Sequence, residues 1–138
     1  MDLELTDRVI IVTGGSSGVG LALVSDLLSC GARVATCARD IDRLDAATGA
    51  LDGHDADRLL TMACDVRSSD QVDRFVTATQ QRFGVVDGLV NNAGQSLMRR
   101  FGDTAFDEWM SEFELKFAGV IHPVTAARSY LAASDAGV

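Results

Sequence analysis

The 138-residue chain has little proline and few basic residues, and each shortage excludes a class of protein. The chain has one proline, and 47% of its residues are hydrophobic. This composition is not that of a linker or a disordered tail, so we expect one globular domain. Twelve Lys and Arg against twenty Asp and Glu leave a formal net charge of −8, which repels phosphate backbones and anionic lipid. We therefore expect no nucleic-acid partner and no membrane partner.

The chain also lacks long apolar runs and clustered metal-binding side chains. No apolar stretch approaches the roughly 20 residues that span a bilayer, and the acidic start MDLELTD lacks the basic region of a signal peptide. These features predict a cytoplasmic protein. Cys30, Cys37 and Cys64 show no metal-ligand spacing, and we expect Cys37 and Cys64 to pack as small hydrophobic residues. We expect His54 in a surface loop and His122 in a helix. The two are far apart in the sequence and neither has a partner at metal-ligand spacing, so no metal site is predicted.

The spacing of apolar residues switches repeatedly between the strand period and the helix period. Short β-branched runs such as RVIIVT are typical of strands buried in a parallel sheet, whereas leucines and valines at helical spacing predict helices. Gly31 and Gly84 are the expected ends of two helices, and Ser68 with Gln71 has capping-box spacing. Strands are predicted at 8–13, 33–38, 58–66 and 86–94, and helices at 19–31, 40–51, 68–84 and about 106–131.

Strands that alternate with helices, in units of about 25 to 30 residues, predict right-handed crossovers and a parallel sheet covered on both faces. The predicted fold is therefore a doubly wound, Rossmann-like α/β domain of three layers over residues 1–138. The pattern stops about where a further strand should begin, so we expect this domain to be incomplete. Ligands bind such sheets beyond the carboxyl ends of the strands, which makes 13–20 the expected binding site.

The segment IIVTGGSSGVGLAL places three glycines, Gly14, Gly18 and Gly20, between a predicted strand and a predicted helix. A helix N-terminus has unpaired N–H groups and a partial positive charge, and glycines without a Cβ let a diphosphate approach them closely. Ser16 and Ser17 add hydroxyl donors. The pattern TGxxxGxG is neither GxGxxG nor a P-loop, and by itself it is also compatible with a tight connection that binds nothing.

Two further motifs follow in order, CDV at 64–66 and NNAG at 91–94. Together with TGGSSGVG they resemble the amino-terminal portion of the short-chain dehydrogenase/reductase family, and the resemblance covers the whole chain in order and spacing. It implies hydride transfer between a nicotinamide cofactor and a carbonyl or alcohol carbon of a small molecule. It also implies a homo-oligomer for a full-length chain.

The resemblance assigns roles to three groups of residues. The first group would hold the pyrophosphate and the nearby ribose: Gly14, Ser16, Ser17, Gly18, Val19 and Gly20. The second group would flank the adenine: Asp65 and Val66. The third group would line the central sheet beside the cofactor: Asn91, Asn92, Ala93 and Gly94.

The end of the second predicted strand bears on which nicotinamide cofactor fits. An acid about 20 residues past the glycine turn would bind a ribose 2′-hydroxyl and repel a 2′-phosphate. The tip here reads Cys37, Ala38, Arg39, with no acid until Asp40. Arg39 is placed to bind a 2′-phosphate, which favours NADP over NAD. The alternative is a surface Arg39 neutralised by Asp40.

The resemblance also implies a tyrosine proton donor with a lysine four residues later, and this pair is absent. Ser134 stands four residues after Tyr130, which we expect to be a packing residue. Lys116, where the family usually has an asparagine, is either an alternative proton-relay group or a solvated helix lysine, and the second is favoured. No catalytic residue is therefore predicted, and the domain is expected to lack a carboxyl-terminal catalytic portion and to be inactive by itself. The alternative is a non-catalytic module that binds a dinucleotide or a partner.

Overall fold

The computed structural model describes residues 3–51, 56–95, 98 and 100–138, so the prediction for His54 lies outside the described residues. The strands in these ranges are β1 (Val9–Thr13), β2 (Arg33–Ala38), β3 (Leu59–Ala63) and β4 (Gly88–Val90). The α-helices are α1 (Gly18–Ser29), α2 (Ile41–Gly49), α3 (Ser69–Phe83) and α4 (Phe106–Ala133). Short 3-10 turns lie at Ala56–Arg58 and Phe101–Asp103.

The four strands form one parallel sheet in the order β3-β2-β1-β4. The chain enters at β1, moves outward through β2 and β3, and then crosses back to place β4 on the other side of β1. The strand order therefore reverses between β1 and β4, which is where ligands bind in doubly wound sheets. The predicted fold class is confirmed.

Both faces of the sheet are packed, because side chains of β1 alternate between two apolar cores. Ile11 belongs to the core with α3 and α4, together with Phe75 and Ala127. Ile10 and Val12 belong to the core with α1. All five residues of β1 are buried, as expected of a strand with helices on both sides.

Two helix ends predicted from glycines are confirmed, and one cap differs from the prediction. Gly31 and Gly84 have φ of +80° and +83°, the left-handed conformation that glycine adopts without strain. Ser68 caps α3 by accepting the Gln71 N–H at 3.4 Å. The Gln71 side chain accepts the Asp65 N–H at 2.9 Å instead of returning to Ser68, so it holds the loop before α3.

The predicted strands 58–66 and 86–94 are too long, since β3 ends at Ala63 and β4 at Val90. After β3, the Asp65 N–H bonds to a side chain of α3 instead of a neighbouring strand. After β4, the N–H groups of Asn92 and Ala93 donate to the Thr13 side chain. After both strands, a side-chain oxygen accepts the backbone N–H groups in place of a carbonyl of the neighbouring strand. Strand pairing therefore stops at Ala63 and at Val90.

Helix α4 runs through Pro123 as one element and packs against α3. Its carboxyl end is anchored below the sheet, where the Ser134 hydroxyl donates to the buried Asp87 carboxylate at 2.5 Å. Asp87 also accepts the Val9 N–H at 2.8 Å. Within the described ranges, no helix is long and apolar enough to cross a membrane.

Candidate functional site

A groove of about 580 Å³ lies at the carboxyl ends of β1, β2 and β4, beside the N-terminus of α1. The residues predicted from sequence that line it are Gly14, Ser16, Ser17, Gly18, Val19, Gly20, Arg39, Asp65, Val66, Asn92, Ala93 and Gly94. The groove also contains residues that sequence reasoning did not assign: Cys37, Ala38, Arg43, Cys64, Gln95 and Leu115. Asn91 is exposed and does not line the groove.

The glycine turn is shaped by close backbone approaches. A Cβ at Gly20 would overlap the Gly14 carbonyl oxygen and the Asn92 side-chain nitrogen. A Cβ at Gly14 would lie 2.8 Å from the Ala93 Cα, and Gly14 has φ +78°. Gly18 differs, since it has φ +56° but no atom lies within 4 Å of its Cβ position. Two of the glycines thus permit internal packing, whereas Gly18 leaves open space facing the groove.

The N-terminus of α1 opens into that space. Its N-cap residue Ser17 makes no side-chain cap hydrogen bond, and the first turn of the helix contains no acid. Free N–H groups and the helix dipole at this end favour an anion. This end of α1 is therefore electrostatically suited to an anion.

Thr13 and Asn92 connect the glycine turn to the segment after β4. The Thr13 hydroxyl oxygen accepts the N–H groups of Asn92 and Ala93, both at 3.0 Å. The Asn92 side-chain nitrogen donates to the carbonyl oxygens of Thr13 and Gly14, each at 3.0 Å. The floor of the groove is thus fixed by four hydrogen bonds between residues nearly 80 positions apart. Thr13 was not singled out from the sequence, because its position in TGGSSGVG does not reveal which groups its hydroxyl contacts.

Basic side chains line the end of the groove next to β2. Arg39 follows β2 directly, and Arg43 lies in the first turn of α2. Asp40 caps α2 by accepting the Arg43 N–H at 3.0 Å. Arg39 is exposed, as in the alternative predicted from sequence, but among the described residues it forms no ion pair with Asp40. The signal in the sequence that could have predicted Arg43 is its place four residues after Arg39, within the predicted helix 40–51.

Asp65 and Arg67 form a partly buried ion pair beside the basic end of the groove, with Nη2 2.6 Å from Oδ2. Hydrogen bonds from Arg67 lower the pKa of Asp65 below its usual range, and the charge of Arg39 acts in the same direction. Asp65 is therefore ionised at neutral pH. His122 is a residue of α4, as predicted, and its Nδ1 lies 3.0 Å from the Val66 carbonyl oxygen.

Cys37 and Cys64 lie at the floor of the groove, with exposed fractions of only 1% and 2%, as expected for buried small side chains. A hydrogen bond between their thiols raises the pKa of Cys37, and burial adds to this effect. The same hydrogen bond lowers the pKa of Cys64. Cys30 is exposed at the end of α1, outside the groove.

Tyr130 and Lys116 both belong to α4. Tyr130 is partly buried and packs against the core beneath the sheet, as predicted. Lys116 is exposed on α4, in agreement with the solvated lysine favoured from sequence.

The sheet order, the glycine turn and the groove define a dinucleotide-type α/β domain. The short chain dehydrogenase family model matches residues 8–138, and the chain belongs to this family. The resemblance noted from its motifs is therefore confirmed.

Similar proteins include oxidoreductases from two bacteria. A short chain oxidoreductase from Pseudomonas aeruginosa PAO1, described as containing an atypical catalytic center, has an apo structure with TM-score 0.86 and 46% identity, covering 94% of this chain and 50% of that chain. An NADPH-bound structure of a short chain oxidoreductase from the same organism, with the same description, has TM-score 0.83 and 44% identity, covering 94% and 52%. An uncharacterized oxidoreductase of Staphylococcus aureus (strain MW2) is 33% identical over 123 residues, which cover 89% of this chain and 52% of that protein. The chain thus spans about half the length of these relatives.

Proposed function

We propose that this chain binds NADP(H) as the dinucleotide-binding part of an oxidoreductase that transfers hydride between NADP(H) and a carbonyl or alcohol carbon of a small molecule. The observation that carries the proposal is the uncapped N-terminus of α1, which opens beside Gly18 into a groove at the strand reversal. Family membership and the NADPH-bound structure of a similar protein support it.

The groove fits a dinucleotide by its shape and its donors. The space above Gly18 admits a pyrophosphate next to the first N–H groups of α1, and the hydroxyls of Ser16 and Ser17 line the same turn. Val19 and Gly20 line the groove along the first turn of α1. Asp65 and Val66 line the part of the groove that we assign to the adenine of the cofactor. When bound, the nicotinamide supplies the hydride, and the protein supplies binding and orientation.

The segment after β4 would orient the reacting end of the cofactor. Asn92, Ala93 and Gly94 line the groove next to the glycine turn, and the Thr13 hydroxyl holds two of their N–H groups in place. Because Asn92 and Ala93 are hydrogen-bonded to the end of β1 and the glycine turn, this wall of the groove would hold the cofactor in one position relative to the sheet. Asn91 does not line the groove, so we propose no contact between its side chain and the cofactor.

The proposal favours NADP over NAD because two guanidinium groups, Arg39 and Arg43, lie at the end of the groove. Guanidinium groups donate charge-assisted hydrogen bonds to phosphate, whereas a ribose 2′-hydroxyl gains little from them. No acid of the β2 tip lines this part of the groove to repel a 2′-phosphate.

Residues 1–138 contain no tyrosine followed four residues later by a lysine, so we assign proton transfer to the substrate oxygen to no residue of this range. We therefore propose that the chain by itself does not reduce carbonyl compounds. A positioned proton donor typically contributes about 10²- to 10⁴-fold in rate. NADPH oxidation with a panel of ketones and aldehydes tests this, and turnover above background would contradict it.

We also propose that the protein forms a homo-oligomer through α4. One face of this helix exposes a continuous series of large apolar side chains: Phe106, Trp109, Met110, Phe113, Phe117, Val120, Ile121 and Val124. A stripe of this length goes beyond the scattered apolar residues of an ordinary surface. Light scattering should show a dimer or larger species that Phe113→Glu dissociates, and a monomeric wild-type protein would contradict the proposal.

The central experiment measures the dissociation constants of NADPH and NADH by fluorescence titration. We expect tighter binding of NADPH, and Arg39→Ala should weaken NADPH about tenfold or more while changing NADH little. Arg33→Ala is the matched control, because Arg33 lies at the opposite end of the same strand. Equal affinities for the two cofactors in the wild-type protein would refute NADP preference, and binding of neither would refute the proposed function.

A further inference from the structure

Cys37 and Cys64 come from neighbouring segments of the sheet and share one of its faces. In the parallel pairing of β2 with β3, Cys37 lies opposite Met62. Cys64 follows Met62 by two residues, so its side chain points to the same face, and both cysteines belong to the core with α3 and α4. The Cys64 N–H donates to the Ala38 carbonyl oxygen at 2.9 Å, which holds Cys64 against the end of β2. The two thiols are therefore in contact through a hydrogen bond.

This hydrogen bond makes the two sulfurs chemically different. It lowers the pKa of Cys64 and raises the pKa of Cys37, so the Cys37 thiol donates and the Cys64 sulfur accepts. Burial opposes the lowered pKa of Cys64, whereas the charge of Arg74 supports it. Because the thiolate is the nucleophile in cysteine chemistry, Cys64 is the attacking sulfur of the pair and Cys37 is the thiol beside it.

The pair lies where a small solute can reach it. Cys37 and Cys64 line the groove, although both side chains are almost fully covered by their neighbours. Hydrogen peroxide is close to water in size, so it can reach the floor of the groove. Cys30 is different, because it is exposed at the end of α1 and lies outside the groove.

We propose that Cys37 and Cys64 form a redox-sensitive modification site at the floor of the groove, where a hydroperoxide converts the two thiols to a disulfide that weakens binding of the dinucleotide. The disulfide itself is independent of the proposed function, whereas its effect on binding rests on that function. A dithiol reductant reverses the modification.

The oxidation takes place in two steps. The Cys64 thiolate attacks one oxygen of the hydroperoxide, and an S–O bond forms as the O–O bond breaks. The leaving oxygen takes up the proton that Cys64 released, which gives an alcohol, or water from hydrogen peroxide. The Cys37 sulfur then attacks the Cys64 sulfenic acid, and the S–S bond forms as the S–O bond breaks. Hydroxide leaves with the Cys37 proton as water, and two electrons have passed from the thiols to the peroxide.

The disulfide would change the wall of the groove. An S–S bond is about 2.05 Å long, which is shorter than the contact between two hydrogen-bonded thiols, so oxidation draws the two segments together. Arg39 follows Cys37 by two residues, Asp65 follows Cys64 directly, and all four residues line the groove. Cys64 lies just beyond the end of β3, so the displacement falls on the loop with Asp65 rather than on strand pairing. NADP⁺ affinity should fall about tenfold, as expected for the loss of one charge-assisted hydrogen bond.

The experiment uses the Cys30→Ser variant, in which the exposed thiol cannot link two molecules. Hydrogen peroxide is added to the folded protein, the remaining thiols are blocked with N-ethylmaleimide after denaturation, and the peptides are identified by mass spectrometry. We expect a linked pair of peptides containing Cys37 and Cys64, which dithiothreitol separates. Calorimetric titration should show weaker NADP⁺ binding by the oxidised protein, and the affinity should recover after reduction.

Substitutions of the two cysteines in the same Cys30→Ser background should differ in outcome. Cys37→Ser keeps a hydroxyl donor beside Cys64 but removes the second sulfur, so peroxide should leave a Cys64 sulfenic acid that dimedone labels. Cys64→Ser removes the attacking sulfur, so dimedone should label Cys37 much less. Cys64→Ser is also the matched control for binding, because peroxide should not change its NADP⁺ affinity relative to the same untreated variant.

The outcomes separate the inference from the proposed function. Absence of the linked peptides after peroxide treatment would overturn the inference and leave the proposed function intact. A disulfide that leaves NADP⁺ affinity unchanged would also overturn it, and equal dimedone labelling of the two variants would contradict the attack by Cys64. Absence of NADP⁺ binding to the reduced protein would refute the proposed function and the effect on binding, while the linked peptides would still support the modification site.

Discussion

The Asn92 side chain is bonded to the Gly14 carbonyl oxygen, with Nδ2 and the oxygen 3.0 Å apart. The same amide nitrogen donates its second hydrogen to the Thr13 carbonyl oxygen, also at 3.0 Å. Only a group with two N–H donors can satisfy two consecutive carbonyls in this way. The asparagine therefore fixes the glycine turn from the neighbouring strand, and four predictions start from this and related contacts.

Replacing Asn92 with aspartate should damage the groove. The side chain keeps its shape, but a carboxylate cannot donate, and it would face two carbonyl oxygens at hydrogen-bond distance. We expect a loss of about 1 to 3 kcal/mol in the free energy of unfolding, together with weaker NADP⁺ binding. Urea unfolding and calorimetric titration measure the two effects.

Asn91→Asp is the matched control for this change. It introduces the same charge one residue earlier, but Asn91 is exposed and does not line the groove. Its effect on stability and affinity should be clearly smaller. Equal effects of the two substitutions would mean that the added charge matters and the hydrogen bonds of Asn92 do not.

Alanine at Gly18 and at Gly20 should have different consequences. The Gly20 substitution forces a methyl group onto the Gly14 carbonyl and the Asn92 side chain, so it should cost roughly 2 kcal/mol or more in stability. The Gly18 substitution costs about 1 kcal/mol, because it strains a left-handed residue, but its methyl group meets only open groove. NADP⁺ affinity should therefore fall in Gly18→Ala while the protein stays folded.

Gly49→Ala in α2 provides the comparison. Its Cβ also meets no atom within 4 Å, and its φ is not in the left-handed region, so stability should rise slightly and affinity should not change. Tight NADP⁺ binding by folded Gly18→Ala protein would place the ligand elsewhere.

The ion pair of Arg67 with Asp65 should contribute to stability only above acidic pH. The pKa of Asp65 is lowered in the folded protein by its hydrogen bonds with Arg67, so the contribution is complete above the ordinary aspartate pKa and is lost as pH falls through the lowered value. We expect Arg67→Ala to be less stable than wild type by about 0.5 to 1 kcal/mol near pH 7, with the difference closing below about pH 4. Urea unfolding of both proteins at a series of pH values tests this. A difference in the free energy of unfolding that stays constant down to about pH 2 would contradict it.

The three cysteines should react at different rates with a maleimide. Cys30 is exposed and should be labelled first, whereas Cys37 and Cys64 are buried and line the groove. Of these two, Cys64 should react before Cys37, because their shared hydrogen bond lowers the pKa of Cys64 and raises that of Cys37. Saturating NADP⁺ should slow labelling of the groove cysteines and leave Cys30 unaffected, as read by peptide mass spectrometry. Equal rates with and without bound NADP⁺ would place the cofactor outside the groove.

Local signals in the sequence were sufficient for the order of elements and for several of their ends. Gly31 and Gly84 end helices because only a residue without a Cβ turns into the left-handed region at no cost. The apolar period distinguished strands from helices, since a strand buried on both faces must be apolar throughout. The predicted site residues other than Asn91 lie in one groove, because the carboxyl ends of parallel strands meet at the same edge of a sheet.

Tertiary structure alone decided where β3 and β4 end and which polar groups meet. The sequence by itself determined a doubly wound α/β chain with a glycine turn, because period, glycine position and helix caps are properties of neighbouring residues. It did not show that Thr13 would hold Asn92, that Cys37 would lie beside Cys64, or that Arg43 would join Arg39. The ion pair of Asp65 with Arg67 is local in sequence, but the position of Arg67 beside Arg39 and Leu115 depends on tertiary packing. Such contacts depend on strand order and side-chain direction across the sheet, which arise only when distant segments pack together.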